Sequence, residues 1–112
     1  MKKLLFVCVV LCAVTMAMAL SAFSKTFKEN YKVKEGSNLD KAACSVCHLS
    51  AKGGKLNSYG KDIQAAMKKD NAKKLTAEIL VKVEGLDSNK NGVKNIDEIK
   101  KDQNPGAVVA EK

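Results

Sequence analysis

The sequence predicts an all-α fold of about four short helices. Two observations carry this. Apolar residues recur at helical steps: Leu56, Tyr59, Ile63 and Met67 share one face, and Leu75, Ile79 and Val83 repeat every fourth position, with Leu86 extending the stripe. No stretch sustains the apolar/polar alternation of a strand, so strands are not expected.

Taken in order, the chain opens with Lys2 and Lys3, then an uncharged apolar run from Leu4 to about Leu20, then the small-residue triplets Ala17-Met18-Ala19 and Ala22-Phe23-Ser24. This is the layout of an export signal over residues 1–24, cleaved near 19 or 24. The competing reading is a retained membrane anchor facing the periplasm, because Leu4 to Phe23 is uncharged and just reaches the roughly 20 residues a bilayer requires. Cys8 and Cys12 lie inside this run, preceded by Val7 and Leu11 where lipid attachment wants a small residue. Residues 25–112 are then one small exported domain, periplasmic in a bacterium.

Within that domain, Lys25 to Gly36 reads as an irregular lead-in. A first helix starts at Ser37 or Asn38, both good caps, with Asp40 in its first turn, and runs through LDKAACSVCH. Gly53-Gly54 forms the loop after it. A second helix begins at Asn57 or Ser58, a third spans about Leu75 to Glu84, and a short fourth covers about Ile96 to Lys101 before Asn104-Pro105-Gly106 stops it.

Charge and composition narrow the function. There are 20 basic residues against 12 acidic ones, every basic one is lysine, and the formal net charge is +8. Nucleic-acid sites lean on arginine forks, so no nucleic-acid partner is expected. A lysine-rich surface serves either as a plain solvated coat or to steer redox partner proteins with acidic surfaces. The membrane enters only through an uncleaved N-terminus. Of three phenylalanines, Phe6 and Phe23 belong to the export segment, and tryptophan is absent. So small an apolar inventory calls for a disulfide, a metal or a cofactor. Outside the export segment Cys44 and Cys47 pair only with each other, closing too short a loop to constrain the unfolded chain much.

The chemistry sits in KAACSVCHLS, which holds those two cysteines and, at His48, the only histidine. Zinc wants a second ligand pair, and neither Cys nor His occurs after residue 48. A thioredoxin-like dithiol wants a βαβ setting, which is missing. Covalent haem attachment wants this spacing with the trailing histidine. Residues three apart on a helical turn point the same way, so Cys44 and Cys47 reach two vinyl groups on one porphyrin edge while His48 meets the iron from the proximal side. The second ring nitrogen of His48 is then expected to donate to a backbone carbonyl. The two apolar stripes become the walls of the haem site, and the chain without haem is expected to be largely unfolded. For the sixth iron position the candidate is Met67, the sole methionine beyond the export segment, which reads equally as core filler; lysine ligation, a water ligand or an open site are the alternatives.

A second motif, LDSNKNGVKNIDEI, reads against the twelve-residue calcium loop over 87–98. Asp87, Asn89 and Asn91 take positions one, three and five, Gly92 the turn, Val93 the carbonyl position, Asn95 position nine and Glu98 the closing carboxylate. Lys94 stands where an aliphatic residue is usual, with Ile96 as the substitute anchor. With two carboxylates among the ligands, affinity in the range of roughly 10⁻⁴–10⁻³ M is expected. The competing reading is a polar turn between helices.

Together CSVCH, LNSYG and LDSNKNGVKNIDEI closed by NPG resemble the small exported single-haem c-type cytochromes of metal- and sulfur-respiring bacteria, over Cys44 to Gly106. Those often carry an Asp/Asn-rich calcium-type loop near the C-terminus; Asn89 and Asn91 stand where acidic residues are frequent. The resemblance implies an all-α cytochrome fold around one haem c and extracytoplasmic electron transfer, with no catalytic residues. The alternative function is a haem-based sensor or small-ligand binder with an open sixth position. A peroxidase-like activity ranks last, for want of a second imidazole.

Overall fold

The computed structural model describes residues 22–50 and 52–108. The export segment lies, apart from 22–24, outside the described residues. The chain is helical over 22–30 (α1). Then follow α2 (Asn38–Ala42), a 3-10 turn (Ala43–Val46), the strands β1 (His48–Ser50) and β2 (Gly53–Leu56), and helices α3 (Ser58–Lys69), α4 (Ala77–Val83) and α5 (Asn95–Lys100). The fold is mainly helical with one small antiparallel ribbon. Among the described residues no helix is long and apolar enough to cross a membrane.

Three expectations need correction. The lead-in is irregular only from residue 31, since the chain is helical through residue 30. Phe27 and Tyr31 stand four apart, one turn of helix, and their rings meet edge to face at 5.1 Å, with Phe27 also 6.2 Å from Tyr59. The first helix does not reach His48: it ends at Ala42, and Ala43 takes a positive φ of 48°. Strands do occur, in the place read as a glycine loop. They are too short for alternation to register, and Gly53 and Gly54 (φ 92° and 87°) give β2 a course that hydrophobic patterning does not encode.

The capping residues act as expected. The Ser37 hydroxyl accepts from Asp40 N–H, and Asn57 Oδ1 accepts from Gly60 N–H. α2 has a further anchor that its own sequence does not supply. Asp102 accepts from the N–H groups of Asn38 (2.8 Å) and Leu39 (2.9 Å), which hold its carboxyl below its ordinary range. Because the folded pKa is depressed, this contribution is present above the unfolded value of about 3.9 and is lost as pH falls through the folded value. Protection of the Asn38 and Leu39 amides from hydrogen exchange, taken relative to the intrinsic rate at each pH, is therefore expected to fall at acid pH in the wild type. In Asp102→Asn it should be lower at neutral pH and lack the acid step; identical profiles would contradict the anchor.

The core gathers Phe27, Leu39, Val46, Tyr59, Ile63, Leu75, Ile79, Leu80, Val83 and Ile99 in one cluster. The two stripes expected as haem walls share one buried cluster, in which Tyr59 and Ile63 of α3 join Ile79 and Val83 of α4. The chain's own side chains make up this cluster.

Candidate functional site

The cysteine turn is built from a short 3-10 segment. Cys47 N–H donates to Cys44 O (3.2 Å), and Ser45 Oγ donates to Ala42 O (2.6 Å). A 3-10 turn advances three residues per revolution, so positions three apart eclipse. Cys44 and Cys47 thus share one edge more closely than an α-helix would bring them. Both are free thiols, Cys44 exposed and Cys47 half-buried. Burial pushes the Cys47 thiol up to about 11, and the neighbouring Cys44 adds to this.

His48 opens β1 and pairs with Leu56 of β2. The ribbon brings Gly54 O to 2.9 Å from His48 Nδ1. A carbonyl only accepts, so Nδ1 carries a proton and Nε2 is the nitrogen left to face a ligand. This is the backbone partner that a metal-binding imidazole requires at its second nitrogen. Two thiols on one edge beside an imidazole whose remaining nitrogen is Nε2 fit a covalently held porphyrin iron. Met67 is half-buried and packs against the core beside α4.

The turn is packed tightly against α3. Asn57 N–H donates to Cys47 O at 2.9 Å, and a Cβ on Gly60 would lie 2.1 Å from that same oxygen. Only glycine admits this approach of backbone to backbone. Gly60→Ala is expected to push the cysteine turn off α3 and to destabilise by about 1–3 kcal/mol, the usual range for overpacking. Urea denaturation checks this; an unchanged midpoint would refute the contact. The sequence marked Asn57 only as a helix start and LNSYG only as a shared pattern, without the reason for either residue.

The 87–98 loop forms a second cluster. Asp87 Oδ1 accepts from Asn91 N–H (3.1 Å), Oδ2 from Gly92 N–H (2.7 Å), and Asn91 Oδ1 from Val93 N–H (3.0 Å). Gly92 takes a φ of 88°, as the tight reversal needs. Glu98 is 2 % exposed, and its Oε1, together with Asn89 Oδ1, is buried without a hydrogen-bond partner among the described residues. Burial raises the Glu98 pKa, and the charge of Asp87 adds to that, while the Asn89 and Asn91 side chains work in the opposite direction. Two orphaned buried oxygens beside a second carboxylate form a donor set that fits a hard cation.

Asn95 is used differently from its expected ligand place. It is fully buried; its Oδ1 accepts from Ser88 N–H (3.1 Å), and its Nδ2 donates to Val83 O (2.9 Å) and Ser88 Oγ (2.8 Å). It staples the loop to the end of α4. The Ser88 hydroxyl in turn donates a hydrogen bond to Asp62 Oδ2 of α3 (2.6 Å). The side-chain oxygens of Asp87 and Asn91 accept backbone N–H groups of the loop, and Asn89 Nδ2 donates to Glu98 Oε2 at 3.4 Å. Among the described residues no group of three or more His, Cys, Asp or Glu side chains is placed to hold a metal, so a cation here depends on the asparagine amides.

Comparison with protein-family models, with curated proteins and with solved structures finds no match to this chain.

Proposed function

We propose that the chain is an extracytoplasmic one-electron carrier whose single haem is thioether-linked to Cys44 and Cys47 and ligated by His48. The observation that carries this reading is the 2.9 Å contact of His48 Nδ1 with Gly54 O, which leaves Nε2 as the iron-facing nitrogen beside two free thiols. Cys44 and Cys47 would hold the group, each thiol adding its S–H across a vinyl double bond: the S–H and π bonds would be lost, a carbon–sulfur bond would form and the hydrogen would go to the terminal carbon, with no net redox change. When bound, the group supplies ferric/ferrous cycling. The chain's part is to hold Nδ1–H on a fixed acceptor and to present its lysines to an acidic partner.

Intact-mass measurement of the exported protein tests the reading, since one covalent porphyrin must appear in the mass. Transfer to an acidic redox partner is expected to slow as ionic strength rises, because screening at 0.1 M salt shortens the reach of the lysine field to about 10 Å. Salt-independent rates in stopped flow would remove the lysines from docking.

The packing of Met67 against the core favours a second reading, a ligand-binding haem with an open sixth position. Carbon monoxide separates the two: a reduced spectrum unmoved by the gas supports the carrier, and ready binding supports the sensor. The orphaned oxygens of Glu98 and Asn89 support a divalent cation in the 87–98 loop of either protein.

A further inference from the structure

We propose that Asn57 is the positioning residue of the Cys44–His48 turn, fixing the thiols and the imidazole relative to one another; this rests on reading that turn as the haem-attachment site. Asn57 is 1 % exposed. Its Nδ2 lies 3.0 Å from Ser45 O, 2.9 Å from Val46 O and 3.3 Å from His48 O, while its backbone N–H donates to Cys47 O at 2.9 Å. Each carbonyl from Ser45 to His48 therefore ends on this one residue. The amide has two hydrogens for three acceptors, so the longest contact, to His48 O, is the shared one.

The chemistry fixes which way the amide points. Carbonyls only accept, so Nδ2 faces the turn and Oδ1 faces Gly60 N–H, 2.9 Å away, as the cap of α3. One side chain thereby joins the first turn of a twelve-residue helix to a segment without a regular hydrogen-bond ladder of its own. Two residues from the C-terminal turn hold it in place. Asn104 Nδ2 gives Ser45 O a second donor at 3.0 Å, and Gly106 lies so close that a Cβ there would sit 2.2 Å from Asn57 Nδ2. Serine caps a helix but does not reach these carbonyls. Aspartate caps equally well but presents an acceptor to acceptors.

Asn57→Asp separates the two duties, since it keeps the cap and removes the donor. Two readouts follow. In exported full-length protein, intact mass gives the fraction carrying covalent porphyrin. In the full chain bearing Cys44→Ala and Cys47→Ala, nitrogen-15 NMR of His48 gives the imidazole tautomer. The wild-type background is expected to show the Nδ1–H form. Asn57→Asp is expected to mix the tautomers and to lower attachment on the order of tenfold, the scale of a lost outer-shell support. Helix content by circular dichroism stays as in the wild type.

If attachment and tautomer are both unmoved, Asn57 does not position the turn. If the wild type itself carries no porphyrin, the haem reading fails and the tautomer comparison alone judges Asn57. Should Asn57→Asp not fold, Gly106→Ala displaces the same amide from outside and leaves the cap residue intact. An unmoved tautomer and unmoved attachment in that variant overturn the proposal equally.

Discussion

Exported protein in which Cys44 and Cys47 are both alanine is expected to lose all covalently bound colour yet still unfold cooperatively. The first half follows from chemistry, since no other thiol of the 25–112 segment is available to form a thioether. The second half follows from the fold. The buried cluster from Phe27 to Ile99 is made of the chain's own side chains, and neither cysteine is among its fully buried members. The composition of the chain leads to the opposite expectation, a haem-free chain that is largely unfolded, and the melt decides between the two. His48→Ala separates the remaining step. The thiols remain, so porphyrin mass is expected to persist while the low-spin spectrum is lost along with the proximal nitrogen. A double cysteine variant that still carries covalent porphyrin would end the attachment reading. A non-cooperative melt would return the haem to the core.

The second large effect is a change of sign at Glu98. Without a cation, its buried Oε1 has no partner, and an unsatisfied buried charged group costs about 1–3 kcal/mol or more. Glu98→Gln removes that charge, so the cation-free variant is expected to melt above the wild type. With calcium at a hundred times its dissociation constant, the wild type is expected to gain about 2.7 kcal/mol, and the variant little or none. Calorimetric melts of both proteins, with and without millimolar calcium, give all four values. A cation-free variant less stable than the wild type would assign Glu98 an unseen protein partner. Equal calcium responses would take Glu98 out of the ligand set.

The two clusters differ in how legible they were. Asp87, Asn89, Asn91, Gly92 and Glu98 lie within twelve positions, and a tight coil turns alternate side chains inward whatever surrounds it. Asn95 fits the same spacing, yet its amide serves Val83 and Ser88, because its full burial at the end of α4 puts those groups, rather than the loop's interior, within its reach. The helices α3 and α4 were legible from their apolar repeats, and α3 also from its cap. The ribbon was not, since three or four residues carry no period and glycine backbone geometry leaves no hydrophobic trace.

What the sequence alone determined is local: the spacing of Cys44, Cys47 and His48, the order of oxygen donors after Leu86, and the lysine charge. What only the tertiary structure decided is which backbone groups hold them. Gly54 O sits six residues from the imidazole it orients, Asn57 nine to twelve from the carbonyls it gathers, and Asn104 fifty-nine from Ser45. Carbonyls are the same at every position in a sequence, so nothing in their spelling marks which of them will be buried together. Packing makes that choice, by excluding water from the turn and leaving each acceptor dependent on the donors that the fold brings within reach.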